Sequence, residues 1–388
     1  MADSFWIMIT LIAYMIVLVL IGVWAQKRTT DQGDYFLGGR QLGPWVASLS
    51  ASASSSSAWS LLGVSGTAYA VGMEAFWFLP GVLGGYVFSW SYVAPRLRQA
   101  TERDDAVTLS ELLFGRFDRD GSNVVIRSAS IIILVSLMFY IAAQFQGAGL
   151  AFSSSFGMAP TAAILFGAAI VLVYTLIGGF WAVAVTDAVQ AVLMVSVAAL
   201  LPVLCLLEVG GFSGLWTGMA GVEDEVFLSF TGKYSGLAAV GFVFGMLSPG
   251  VAYIGQPHVM NRFMAIKDDA SLRQGRIIAI CWASIVFSGM LILGWSARVL
   301  FPMTGNEEQI FFHATQQLLP PVIAGVMIAG VLSAIMSTAD SQLLVAASSI
   351  ARDWNLADSR AHAKVLTDSR VVVTLVTVIA CAISLFLP

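Results

Sequence analysis

Ser48-Leu49-Ser50-Ala51-Ser52-Ala53-Ser54-Ser55-Ser56-Ser57-Ala58-Trp59-Ser60 carries eight serines in thirteen residues. It sits inside the long apolar run Pro44–Gly72, at a depth where lipid offers no hydrogen bonds. Serine is a middling helix former whose hydroxyl competes for backbone groups, so an interrupted helix is expected there. The run Ser235–Pro257 holds Gly245-Met246-Leu247-Ser248-Pro249-Gly250 and then Gly255-Gln256-Pro257. Proline removes a backbone donor and clashes with the preceding turn, which predicts a second break or kink in this stretch. Either segment alone also reads as close packing through small residues. Their relation decides between the readings: the two runs lie five spans apart, and paired discontinuities in two halves point to a secondary transporter's site.

The rest of the chain fits that frame. Its 388 residues are 58% hydrophobic and 11% charged, against about 25% charged in an average soluble domain. Ten spans are read, near Phe5–Ala25, Pro44–Gly72, Phe76–Ala94, Ser128–Phe152, Thr161–Ile177, Val185–Leu207, Ser235–Pro257, Ile277–Leu300, Pro321–Ile350 and Val371–Leu387. The runs are too long for a membrane barrel and lack its alternation. The first is read as a retained span, since Asp3 precedes it and no small-residue cleavage motif follows. With the N-terminus outside, 17 of the 19 Lys and Arg residues fall in inner loops, all but Lys233 and Arg298. That is the bias expected of cytoplasmic loops, and it counts Arg262 among the loop residues. The outer loops carry Glu223, Asp224, Glu225, Glu307 and Glu308 instead. Cys205, Cys281 and Cys381 lie in apolar runs without disulfide or metal spacing.

Nearly all of the 23 acidic residues sit in loops or at span ends, apart from Asp187 and Asp340. A bare carboxylate at the centre of a membrane helix costs about 2.5–3.5 kcal/mol, so both should face the bundle interior and a partner. No Arg or Lys is expected at that depth, leaving a bound cation, a proton or local hydroxyls. In Ala334-Ile335-Met336-Ser337-Thr338-Ala339-Asp340-Ser341, helical spacing puts Ser337, Asp340 and Ser341 on one face. Such oxygens, joined by unwound carbonyls, suit Na⁺; a hydrogen-bonded patch joining helices is the plainer alternative. His258, His313 and His362 are scattered, and Trp59, Tyr140 and Tyr253 are aromatics near the expected site. There is no phosphate loop, nucleophile elbow or His-Glu-x-x-His motif, and no basic patch for nucleic acid. An aspartyl protease using Asp187 and Asp340 lacks the Gly-x-Gly-Asp context such enzymes carry.

Four stretches then resemble one family. They are Asp34-Tyr35-Phe36-Leu37-Gly38-Gly39-Arg40, Gly178-Gly179-Phe180-Trp181-Ala182-Val183-Ala184-Val185-Thr186-Asp187, Gly255-Gln256-Pro257-His258 with Arg262-Phe263-Met264, and Met336-Ser337-Thr338 with Ser341-Gln342-Leu343-Leu344. The chain resembles the sodium/solute symporter family, its sodium/proline branch most. The resemblance implies an all-α, polytopic membrane protein with the five-plus-five inverted-repeat (LeuT-like) fold behind one extra helix. Residues 1–388 would form one transporter domain: 1–43 the extra helix and inner loop, 44–209 the first repeat, and 235–388 the second, C-terminally incomplete by about one core helix.

By the same resemblance, sodium would be held by carbonyls of Ala53, Ser56 and Ala334 with hydroxyls of Ser337 and Thr338. A second sodium would map to Asp187, Ser337, Asp340 and Ser341. Ser57, Trp59, Tyr140, Tyr253, Gln256 and Pro257 would line the solute pocket, and Arg40 would serve coupling at the inner mouth. Ser55 and Pro249 depart from the family, where aspartate and tryptophan are usual. The expectation is a monomeric, Na⁺-coupled importer in a bacterial inner membrane, taking a small zwitterion, most simply L-proline, with the solute carboxylate at backbone donors near Ser57. A same-family carrier of another solute, or a transporter-like sensor module, is the alternative.

Overall fold

The computed structural model describes residues 2–26, 37–104, 106, 108–114, 124–177, 180–222, 226–302, 305–350 and 362–386. Asp34-Tyr35-Phe36, Gly178-Gly179, Glu223–Glu225, and the basic residues Lys27, Arg28, Arg116, Arg119, Arg352 and Arg360 lie outside the described residues.

Among the described residues every regular element is helical, apart from one isolated bridge between Leu42 and Ile266. The order is α1 Ala2–Gln26, α2 Pro44–Ser55, α3 Val64–Val71, α4 Phe78–Phe88, α5 Ala94–Asp104, α6 Leu109–Phe114, α7 Val124–Phe156 and α8 Pro160–Ile177. There follow α9 Phe180–Glu208, α10 Gly211–Ala220, α11 Gly236–Ile254, α12 Pro257–Met264, α13 Asp269–Leu300, α14 Ile310–Leu318, α15 Pro321–Ser348 and α16 His362–Phe386. Among the described residues seven helical stretches are long and apolar enough to cross a membrane, and two shorter apolar helices, Pro160–Val173 and Arg370–Phe386, accompany them.

Both expected interruptions are present. α2 ends at Ser55, Ser56 is extended (φ −102°, ψ 92°), and the helix resumes through a wide turn at Trp59–Gly63 that leads into α3. The second break falls at Gly255 and Gln256, and Pro257 opens α12. Proline at the first helical position loses nothing, because that N–H has no partner in the helix anyway. Pro249 lies within α11, which runs through it.

Polarity is inverted relative to a soluble protein. Leu237, Phe244 and Val251 point outward on α11, whereas Ser50, Ser54, Asp187, Ser337 and Asp340 are fully buried. α15 is the central pillar, buried almost throughout from Ala324 to Ser348, and it packs on α1, α2, α7 and α9. α1 is fastened to it by a 2.7 Å bond between Tyr14 and Ser333 hydroxyls. Around that pillar, glycines set the closest approaches. A Cβ at Gly250 of α11 would lie 1.9 Å from the Gly81 carbonyl of α4, and one at Gly85 would lie 2.3 Å from the Gly250 carbonyl. This backbone-to-backbone seam holds the helix before the second break against α4.

The seam predicts a sharp contrast within one helix. Gly250→Ala overpacks it, a change that typically costs about 1–3 kcal/mol. Gly245→Ala meets nothing within 4 Å and gains about 1 kcal/mol of helix propensity. Thermal unfolding in detergent should show a midpoint lowered by several degrees for Gly250→Ala and unchanged or raised for Gly245→Ala. Equal midpoints would contradict the seam.

Candidate functional site

α2 presents its serines on separate faces with separate duties. Ser50 and Ser54, one turn apart, donate to Asp187 Oδ2 on α9 at 2.9 and 3.0 Å. Ser55 turns elsewhere, with its hydroxyl 2.9 Å from that of Tyr86. Tyr86 stacks on Tyr253, ring centroids 4.1 Å apart, and Trp90 Nε1 donates to the Tyr253 hydroxyl at 3.2 Å. Ser48 bonds back to the Pro44 carbonyl at 2.6 Å, the local competition that weakens serine helices.

The partner of Asp187 corrects the sequence reading. Arg262 is not a loop residue: it lies on α12, 1% exposed, with Nη2 3.0 Å from Asp187 Oδ2. Its Nε donates to Ser50 at 3.1 Å, its Nη1 to the His258 carbonyl at 2.7 Å, and Nη2 also reaches the Ser341 hydroxyl. The guanidinium packs over the Phe180 ring, 5.1 Å from its centre. The sequence leaves a bound cation, a proton or local hydroxyls as partners of Asp187. The hydroxyls of Ser50 and Ser54 are there, and the eight-residue restart after the second break adds a basic residue at that depth. Of the four residues expected around a second sodium, Asp187 and Ser341 are already bonded to the guanidinium. Asp340 accepts from Ser341 at 3.3 Å through Oδ1, while its buried Oδ2 has no hydrogen-bond partner.

One turn away, the first break meets α15. Ser337 Oγ lies within hydrogen-bonding distance of three carbonyls: Ser333 at 2.7 Å, Ala53 at 3.1 Å and Ala334 at 3.3 Å. Ser56 N also donates to the Ala53 carbonyl, at 3.0 Å. The hydroxyls of Ser56 and Thr338 are buried without partners. Oxygens from the broken helix and from α15 therefore converge, with one hydroxyl proton among several acceptors, and such a set suits a hard cation.

A cavity of about 800 Å³ opens beside the break, lined by Ser57, Trp59, Tyr140 and Gln144 and reaching Asn306, Glu308 and Gln309 at its mouth. Trp59 stands edge-on to Phe78 at 5.3 Å. The expected solute residues thus divide: Ser57, Trp59 and Tyr140 line this cavity, whereas Tyr253 is buried against Tyr86 and Trp90, and Gln256 and Pro257 form the second break. Pro249, within α11, is not among the lining residues. Arg40 sits at the far end of α2. It is the one non-glycine residue with positive φ (54°) among the described residues, and its Nη2 donates to the Ala106 carbonyl at 3.2 Å. Glu308, at the cavity mouth, has its carboxyl pushed above the usual range, by burial first and by neighbouring Glu307 second.

Sequence reasoning missed Arg262, Gln144, Tyr86 and Trp90. Gln144 carried one faint signal, a lone amide in the apolar stretch from Ser128 to Gln144.

Two interrupted helices meeting at a buried polar cluster, inside a membrane bundle of this order, define a secondary transporter. Comparison with known proteins gives the family. The model of the sodium:solute symporter family matches residues 35–387. The osmoregulated proline transporter OpuE of Bacillus subtilis is 36% identical over 387 residues, covering 98% of this chain and 77% of the relative. The sodium/proline symporter of Escherichia coli is 35% identical over 396 residues, covering 99% and 78%. Among solved structures, a substrate-bound, outward-open Na⁺-coupled sialic acid symporter superposes with TM-score 0.84 at 20% identity, covering 98% of this chain and 80% of its own. MhsT, in complex with L-phenylalanine, gives 0.60 at 13% identity, covering 89% and 80%; at these identities both likenesses concern the fold.

The chain belongs to the sodium:solute symporter family. It is a multi-pass membrane transporter of the LeuT-like fold that couples a small solute to Na⁺, not an enzyme.

The ion pair makes a direct prediction. Removing one partner of a buried pair strands the other and costs about 3–5 kcal/mol. Asp187→Asn and Arg262→Gln should each lower the thermal midpoint strongly, and the double variant should lose less than the sum. Strict additivity would mean that the two charges do not depend on each other.

Proposed function

We propose that this protein imports L-proline with Na⁺ across a bacterial inner membrane, as a monomer with its N-terminus outside. The supporting observation is the 35–36% identity, along nearly the whole chain, to two carriers named for proline. In this reading residues 44–209 and 235–388 act as the two repeats of a single domain, since each opens with a broken helix.

Sodium sits where α2 and α15 meet, held by the carbonyls of Ala53, Ser56 and Ala334 and the hydroxyls of Ser337 and Thr338. The unpartnered Thr338 hydroxyl and the Ala53 and Ala334 carbonyls beside Ser337 support that set. One sodium is sufficient, because Arg262 already supplies positive charge to Asp187 and Ser341. Sodium bridging two helices favours the conformation in which both contribute ligands, and that differential affinity is the coupling. The solute enters from the Glu308 side into the cavity beside Ser57, with its apolar ring against Tyr140 and Trp59. Arg40 marks the opposite, inner mouth.

Uptake of labelled L-proline into proteoliposomes should require an inward Na⁺ gradient. Ser337→Ala combined with Thr338→Ala should cut that uptake at least about tenfold, a coupling loss of about 1.4 kcal/mol. Undiminished sodium-stimulated uptake in the double variant overturns the ion site. A solute panel read by thermal shift, with and without Na⁺, identifies the cargo independently.

A further inference from the structure

The first break frees the backbone N–H groups that open the second half of the helix, a natural seat for a carboxylate. One of them is already taken. Ala58 N donates to Gln144 Oε1 at 3.0 Å, and Gln144 is 2% exposed. The approach is prepared by glycine: a Cβ at Gly147, one turn along α7, would lie 2.6 Å from the Ala58 Cβ. On the other side of Gln144, one turn back, stands Tyr140, and both side chains line the cavity with Ser57 and Trp59.

A carboxamide is an acceptor at one end and a double donor at the other. With Oε1 committed to Ala58, the Nε2 amide is the end left for the cavity, and among the described residues it donates to no protein group. A carboxylate solute accepts hydrogen bonds only. The described cavity lining holds neither lysine nor arginine, so neutral donors have to receive the negative end. Those beside the break are the Gln144 amide, the Trp59 indole and the hydroxyls of Ser57 and Tyr140, while Gln146, Ser153, Asn306 and Gln309 line the rest of the cavity. The half-helix N-terminus assists through the amide, since an N–H bonded to Oε1 polarises the group and strengthens its Nε2 donors. Glu308 is the single charged residue among the described lining. It disfavours a bare anion and leaves a zwitterion acceptable.

We propose that Gln144 is a specificity-determining residue that receives the solute's carboxylate on its Nε2, relaying the helix terminus that it caps. This rests on the reading of the cavity as the solute site and deepens it by naming the recognised group. The alternative is a purely structural cap. Gln144→Glu separates the two, because its carboxylate still accepts from Ala58 N but has exchanged the donor for a second oxygen. Gln144→Met, neutral and of similar length, removes both ends.

The measurement is Na⁺-dependent binding of L-proline and prolinamide to purified parent and variants, alongside glycine betaine and pyroglutamate with their esters or amides. The sodium-induced thermal shift without solute reports folding. The parent should prefer proline to prolinamide at least about tenfold. Gln144→Glu should lose that preference through weaker proline binding, with prolinamide affinity held or improved, and Gln144→Met should lose it too. Variants that keep the parental preference overturn the assignment. A parent blind to proline but responsive to another of these carboxylates refutes the proline reading, and Gln144 is then judged on that carboxylate and its neutral counterpart. Response to none of the carboxylates overturns both.

Discussion

Inside a bilayer, backbone groups released by a helix break find partners within the protein or not at all. The architecture follows from that constraint. At the first break, Ser56 N folds back to the Ala53 carbonyl, Ala58 N is met by Gln144, and the Ala53 carbonyl is shared with Ser337. At the second, Gly255 N returns to Ala252, and the Gln256 carbonyl serves the N–H groups of Val259 and Met260. Each repair draws in a neighbour. α7 comes close enough only because residue 147 is glycine, and α15 because residues 333, 334 and 337 are serine or alanine. The polar interior is thus a set of partners assembled around two deliberate defects.

The buried charge obeys the same logic. Asp187 and Arg262, both nearly inaccessible, neutralise each other and share Ser50 and Ser341 as secondary partners. Burial leaves the pair poorly screened by salt, and the cost of desolvating two ions makes it weak evidence of net stability. Its value lies in specificity, because it joins α2, α9, α12 and α15 at a single point. Asp187 Oδ1 and Asp340 Oδ2 are both buried without a hydrogen-bond partner, so each carboxylate keeps one oxygen available beside the guanidinium.

The serine run and the paired breaks were legible because they violate what an apolar span requires, and violations at matching places are informative. The face shared by Ser337, Asp340 and Ser341 was legible because α15 is long and regular. The exact seat of the second break was less so. Pro249 looked as disruptive as Pro257, yet neighbouring helices carry a proline through a membrane helix, whereas Gly255-Gln256-Pro257 both ends one helix and opens the next. Arg262 was misplaced because counting basic residues by loop assumes that a short segment after a break is a loop. Gln144 was invisible because its partner is a backbone N–H 86 positions away, and no periodicity announces such a contact.

The lone bridge between Leu42 and the segment after α12 has a mechanical consequence. Leu42 N bonds to the Ala265 carbonyl and Lys267 N to the Leu42 carbonyl, both at 3.1 Å. The strand-like stitch joins the root of α2 to the tip of α12, the half-helices on the Arg40 side of the two breaks. Parting them at that end forfeits two backbone bonds of about 1 kcal/mol each. The two half-helices are therefore tied to each other on that side of the breaks at Ser56 and Gly255.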